Sequence, residues 1–296
     1  MNTEAASKLA PYRAKRSLAK VSLEEGLRLV NDFYWGIFVS TQFASERGNT
    51  DRVISFVNTK QEFRGQGRLR PDNLRPLIVS SEDELPKFGL IVLFSYFEVY
   101  LREICVTAIV ANPGLVADAP GSVNGEDIAR DEDLLSAIQG LAESTIHGWL
   151  RGRHAERFGN MRRAFGLGQD ITKPHVPVLD EYYAKRNCFV HRQGMVDAKA
   201  KAFFPNDNRN PIGGRLCVDR SDFIALHRAI HSCSGDIDGF MVNNHIKNAE
   251  VLRILYEARR EHPDWKAKNY NVHLHNLRLD MVSRNTIAEV LGISPK

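Results

Sequence analysis

Between Phe88 and Ala111 the chain carries its most apolar stretch, and three charged residues, Glu98, Arg102 and Glu103, interrupt it. A bilayer-spanning helix rarely tolerates three ionised side chains near its middle, whereas a helix packed in a protein core can carry them on its remaining face. Ser81-Glu-Asp-Glu-Leu-Pro supplies a start and Asn112-Pro-Gly a stop, so the stretch predicts one long core helix over 81–111.

Other segments repeat the helical pattern. Ser22 and Glu25 have the spacing of a capping box, which predicts a helix start near residue 22. Residues 31–80 mix Phe33, Tyr34, Trp35 and Phe38 with turn formers and include an exposed basic loop, Arg64-Gly-Gln-Gly-Arg-Leu-Arg. Leu134, Leu135, Ile138, Leu141 and Ile146 predict a helix over 131–150, Val176 to Val196 another, and Asp219-Arg-Ser-Asp-Phe opens a third that reaches about Asn244. Between the last two, Phe203-Phe-Pro-Asn-Asp-Asn and Ile212-Gly-Gly-Arg-Leu-Cys-Val predict a loop or short hairpin. One or two helices are expected after that, the last capped by Thr286 with Glu289 and closed by Gly292. That last segment has the look of the first helix of a helix-turn-helix, but the chain stops where a recognition helix would begin. The fold class read from these segments is all-α. The expected division is an N-terminal extension of helix and loop over 1–80, a helical bundle over 81–245 and a C-terminal helical extension over 246–296.

Composition narrows the function classes. With 43% hydrophobic and 26% charged residues the chain supports a packed core and is not globally disordered. Forty basic against 36 acidic residues leave a net charge of +4, too mild to mark a nucleic-acid binder without local clustering. Cys105, Cys188, Cys217 and Cys233 show no C-x-x-C spacing, so reduced thiols are expected in place of a zinc site or disulfide framework. No His, Cys, Asp and Glu cluster has metal-ligand spacing, and neither a metal nor a cofactor is expected. The polar N-terminus lacks the apolar run of a signal peptide, which predicts a cytoplasmic protein that does not enter the membrane.

The segment that concentrates chemistry is Asp180-Glu-Tyr-Tyr-Ala-Lys-Arg-Asn-Cys-Phe-Val-His-Arg-Gln-Gly194. On a helix at 100° per residue, Tyr183, Gly194, Asn187, Asp180 and His191 fall within an arc roughly 60° to 140° from Arg186. Phe189, with Ala184 and Val196 nearby, marks the apolar side. A guanidinium clamps a phosphodiester bidentately, an amide positions it, and an imidazole exchanges protons near neutral pH. The alternative is a solvated helix face on which Arg–Asp and Asn–His pairs only stabilise the helix.

Arg186-Asn-x-x-x-His191 followed by Arg-Gln-Gly-Met-Val-Asp, approached by Leu179-Asp-Glu-Tyr-Tyr, resembles the signature of the HEPN superfamily, and the chain is similar to its RiboL-PSP-like branch. The order of elements over 85–245, with Phe97-Glu-x-x-Leu-Arg-Glu in the long apolar helix, adds to the resemblance. The resemblance implies a four- to five-helix bundle with a short hairpin-like insertion, and a homodimer whose motif helices share a cleft. It implies metal-independent RNA cleavage in a toxin or antiphage role, with RNA and a cognate antitoxin or regulatory protein as partners. Arg186 and His191 map to the family's catalytic pair and Asn187 to its polar companion. A non-catalytic module that binds a partner protein or a nucleotide is the alternative within the family.

Supporting groups come from three places. Asp180 and Tyr183 share the motif arc. Ser95, Glu98 and Arg102 form a polar stripe on the long helix, so Glu98 either braces Arg186, orients His191, or pairs with Arg102 one turn away. Arg151, Arg153, Arg157, Arg162 and Arg163, interleaved with Trp149, His154, Phe158 and Phe165, have the composition of a single-stranded RNA track. A plain solvated basic face is the alternative for that run.

Overall fold

The computed structural model describes residues 15–46, 52, 71–116, 134–277, 279 and 282–294, and of 71–79, 81–82 and 134–137 the backbone alone. The basic loop read at 64–70 lies outside the described residues. The protein is all-α: the described residues hold eleven α-helices and no strand. In order these are α1 (Leu18–Ser45), α2 (Pro71–Ala111), a 3-10 turn (Pro113–Val116), α3 (Leu134–Trp149), α4 (His154–Phe165) and α5 (Gln169–Thr172). There follow α6 (Val176–Arg192), α7 (Ala198–Lys201), α8 (Arg220–Met241), a π turn (Val242–Ile246), α9 (Ala249–Glu261), α10 (Ala267–Asn276) and α11 (Arg284–Leu291).

Several starts differ from the expected ones, each for a physical reason. α2 begins at Pro71, a residue whose missing N–H and fixed φ suit the first helical position. α1 begins at Leu18, not at Ser22, and takes in the aromatic run Phe33–Phe38. Its true cap is Ser17, whose hydroxyl accepts from the Lys20 amide at 3.1 Å. The buried carboxylates of Asp238 and Glu250 accept the Ser17 and Leu18 amides at 3.2 and 3.0 Å. Residues more than 200 positions away therefore fix this helix end. α11 is capped by Ser283, which accepts from the Thr286 amide at 3.1 Å, three residues ahead of the expected cap, and Gly292 closes it as read. The expected hairpin is a loop closed by one antiparallel bridge between Met195 and Arg215. After α8 the chain forms three helices where one or two were expected.

The chain divides into two units, Met1–Glu24 with Phe97–Val176 and His231–Lys296, and Glu25–Tyr96 with Pro177–Ile230. In the first, Phe97, Tyr100, Leu101, Ile104 and Ile237 are fully buried, and the Tyr100 hydroxyl donates to the Ser234 carbonyl at 2.9 Å. Burial pulls the Lys20 ammonium down from its usual range, and the charges of Glu24 and Asp238 oppose that. Its Nζ donates to Ser234 Oγ at 2.7 Å. A local core of Leu255, Tyr270, Leu274 and Ile287 unites α9, α10 and α11. Among the described residues no helix is long and apolar enough to cross a membrane.

In the second unit the core gathers Leu90, Leu93, Phe94, Tyr34 and Phe223. The Tyr34 and Phe223 rings stack at 4.0 Å, nearly parallel. Gly89 is where the backbone of α2 meets this stack: a Cβ there would lie 2.6 Å from a Phe223 ring carbon. Alanine normally stabilises a helix interior by about 1 kcal/mol over glycine. Here the ring is held from behind by Tyr34, so overpacking, at about 1–3 kcal/mol, outweighs that gain. Gly89→Ala is accordingly expected to lower stability by about 1 kcal/mol or more in chemical denaturation, and stabilisation would show that the ring moves aside freely.

Candidate active site

Helix α6 has two unlike sides. Leu179, Tyr182, Lys185 and Cys188 recur every three residues and are buried. Three of them are what an inward face requires, and the fourth is a lysine with 1% of its side chain exposed. The Lys185 ammonium is met by Glu181 Oε1 at 2.8 Å, Asp207 Oδ2 at 3.0 Å and Asp222 Oδ1 at 3.2 Å. The Tyr182 hydroxyl donates to Asp222, and the Tyr182 and Phe204 rings lie 5.0 and 5.4 Å from the ammonium. Arg209 extends the network to Asp207, Asp219 and Asp222. Asn210 donates to Asp207 and bonds both the amide and the carbonyl of Cys217.

These contacts tie the loop after α6 back onto that helix. Burial alone would lower the Lys185 ammonium, but the hydrogen bonds to Glu181 and Asp207 and the charge of Asp222 outweigh it and raise it. Burial would likewise raise the Asp207 carboxyl. Its hydrogen bonds from Asn210, Lys185 and Arg209 instead hold it well below the usual carboxylate range. No sequence signal assigned these residues, because a lysine in an otherwise polar segment reads as solvated; only the three-residue recurrence with Leu179 and Tyr182 marks its direction.

Of the predicted site, Tyr183, Asn187 and His191 lie roughly 60° to 140° from Arg186, on another side of α6, and Arg186 itself falls between the directions of Leu179 and Tyr182. Tyr183, Arg186 and Asn187 are half-buried and His191 is exposed. Phe94 of α2 packs edge-on against Tyr183 at 5.8 Å, and the Arg186 guanidinium lies 6.0 Å from the Tyr183 ring. Arg186 Nη1 donates to Asn187 Oδ1 at 3.1 Å, while Arg186 Nε is buried and has no hydrogen-bond partner among the described residues. A buried guanidinium donor without an acceptor is costly, so this atom is a place where the packing leaves a polar group unmatched. Asp180, on the same arc, is buried. Gly194 ends the helix at φ 81°, preceded by Gln193 at φ 54°. Its amide donates to the Cys188 carbonyl at 3.0 Å, and its carbonyl accepts from Leu216 at 2.7 Å. Glycine suits the left-handed turn here.

The remaining candidates lie in the first unit. Glu98 accepts from Arg157 Nη1 at 3.1 Å, and Arg102 pairs with its neighbour Glu103, so the pairing of Glu98 with Arg102 is not made. Arg157 is itself buried and also donates to the Gly152 carbonyl at 2.9 Å, which makes it a brace within the fold. Arg162 donates to Thr172 and Arg163 to Asn160, Arg153 pairs with Glu156, and Arg151 is exposed. The interleaved His154, Phe158 and Phe165 are core residues and cannot stack on bases. Among the described residues no group of three or more His, Cys, Asp and Glu side chains is placed to hold a metal.

Removing Lys185 leaves buried Asp222 and half-buried Asp207 with Arg209 as their remaining cation. Lys185→Met is expected to lower apparent stability at neutral pH by up to about 3–5 kcal/mol, the cost of breaking a buried pair by deleting one partner. The depressed Asp207 carboxyl contributes stability that is complete above the ordinary carboxylate pKa and is lost as pH falls towards its lowered value in the fold. The raised Lys185 contributes fully below the ordinary lysine pKa and loses its contribution only in strong alkali. In the variant the carboxylates take up protons more readily, so its deficit should shrink between pH 7 and pH 4. Urea denaturation of both proteins across that range checks this; a deficit that stays constant would contradict it.

No family model, curated protein or solved structure matches the chain.

Proposed function

We propose that the protein is a metal-independent RNA endonuclease of HEPN type, with Arg186, Asn187 and His191 of α6 at the chemical site. The observation that carries this reading is the outward side of α6. It offers a guanidinium held by Asn187 with its Nε donor unsatisfied, and an exposed imidazole little more than one turn further on. Arg186 neutralises the non-bridging phosphate oxygens and the charge that develops on the pentacoordinate phosphorus. Asn187 holds Arg186 and positions phosphate or ribose. His191 acts as general acid or base.

With an imidazole and a guanidinium, the nearest nucleophile is the RNA's own 2′-hydroxyl. His191 takes the hydroxyl proton, the 2′-oxygen bonds to phosphorus, and the bond from phosphorus to the 5′-oxygen breaks; the leaving oxygen takes a proton from solvent water, and the imidazolium then returns its proton to solvent. The fragments end in a 2′,3′-cyclic phosphate and a 5′-hydroxyl. The active unit proposed is a homodimer whose motif helices share a cleft, in the toxin or antiphage setting that the resemblance implies, with a cognate antitoxin or regulatory protein as further partner. Exposed Arg151 and the half-buried or exposed Arg153, Arg162 and Arg163 are proposed as phosphate contacts, without base stacking. A second reading, a non-catalytic module that binds nucleotide or protein, draws on the exposure of His191, for which no hydrogen bond is found among the described residues.

Purified protein incubated with RNA in EDTA should cut it and leave cyclic-phosphate ends. His191→Ala should reduce the rate by about 10²–10⁴ with the fold intact. Arg186→Lys should also be severely impaired, since an ammonium keeps the charge and loses the fork. Activity that disappears in EDTA and returns with Mg²⁺, cutting of DNA, or 3′-hydroxyl ends would overturn the mechanism. RNA binding without cleavage by the wild type would favour the second reading.

A further inference from the structure

Helices α9, α10 and α11 pack around a core of their own. Val251, Leu255, Tyr270, Leu274, Val282 and Ile287 meet there, and among the described residues Leu18 is the one apolar side chain from another element that packs on it. The chain enters this group through an unusual point. α8 runs straight on into the π turn Val242–Ile246, where the Lys247 amide donates to the Val242 carbonyl at 2.7 Å. That turn is fastened from the side: Val242 and Ile246 are buried, and His245 Nε2 bonds the Phe165 carbonyl at 2.7 Å. Lys247 then stands exposed at φ 49° and ψ −124°, a conformation that glycine adopts freely and a residue with a Cβ avoids. Two residues later α9 begins.

Strain of this kind persists only where the surroundings hold the residue in place. On one side the His245 bond fixes the π turn. On the other stands the start of α1. Ser17 donates its amide and its hydroxyl to Asp238 of α8, and Leu18 donates its amide to Glu250 of α9 at 3.0 Å. The Leu18 side chain lies on the α9–α11 core. Two consecutive residues thus bridge the helices before and after the strained turn, and all of these groups belong to the first unit. We propose that α9–α11 are a hinged cap, which turns as one body about Lys247 and which the Ser17-Leu18 strap holds shut. Releasing Leu18 from Glu250 frees α9, and a turn at Lys247 returns its φ to the negative range. A shared core carries the three helices together, so their own hydrogen bonds survive the movement. Strap and strain act in opposite directions, the one closing the cap and the other opening it. The device does not rest on the ribonuclease reading.

Spin labels at Ser232→Cys on α8 and Asn269→Cys on α10, both exposed, report the movement in a Cys217→Ser background, where the remaining native thiols are buried. Double electron–electron resonance on the full chain should give one dominant distance. Glu250→Ala removes the acceptor of the Leu18 amide and should raise the share of a second distance at least about tenfold. Leu18→Ala, which weakens the strap and leaves no buried polar group unpaired, should shift the distances the same way. Adding Lys247→Gly to either variant should lower the second share about fivefold. Glycine takes the closed φ without strain, and the freedom it gains in the open form is a smaller effect. Amide exchange inside α10 should stay slow throughout, because the cap turns without unfolding. A single distance in both strap variants, an open share that glycine leaves unchanged or raises, or a second distance that appears only with loss of α10 protection would overturn the proposal.

Discussion

A buried ammonium inside a cage of carboxylates is the constraint on which the candidate site depends. Lys185 has three acidic partners within 3.2 Å and almost no exposure, and two of them, Asp207 and Asp222, lie outside α6, so the helix cannot rotate about its axis without separating a buried charge from those two counter-ions. Such separation costs several kcal/mol, far more than a surface ion pair contributes. Fixing the direction of one residue on a rigid helix fixes all the others. Arg186 follows Lys185 directly, and Asn187 and His191 follow at set angles, so the inward cation determines which groups the helix turns outward. The same carboxylates reach Arg209, and with Asn210 they fasten the loop that begins just past His191.

Much of this fold was legible in the sequence. The core helix closed by Asn112-Pro-Gly, the motif helix after Val176 and the long helix after Asp219 all follow from apolar spacing and local stop signals, which are properties of contiguous residues. The helix start at Ser17 was not legible, because its acceptors, Asp238 and Glu250, are distant in sequence and the capping pattern at Ser22 is a coincidence of composition. Nor was the start at Pro71, which the acidic cluster at 81–84 masked.

The site was legible by half. The shared arc of Tyr183, Asn187 and His191 follows from helical angles alone, but only His191 on it is exposed and Asp180, which shares it, is buried. Arc position does not say which neighbouring element covers the first turn of a helix. The arginine run shows the same limit. Arg157 belongs to the fold because Glu98 and the Gly152 carbonyl reach it, and the aromatics among the arginines fill the core. Composition offers residue types that suit an RNA track, and burial of His154, Phe158 and Phe165 removes them from any stacking surface, while Trp149 is half-buried.

The central claim is that Arg186 is a phosphate clamp on the helix whose direction the Lys185 cage fixes. Fluorescence anisotropy of a 2′-O-methyl oligoribonucleotide, which binds without being cut, tests it across a salt series. The account predicts that Arg186→Gln weakens binding at least about tenfold and lowers the slope of log affinity against log salt by about 0.7, the loss of one phosphate contact on a single strand. Unchanged affinity and an unchanged salt slope would contradict it.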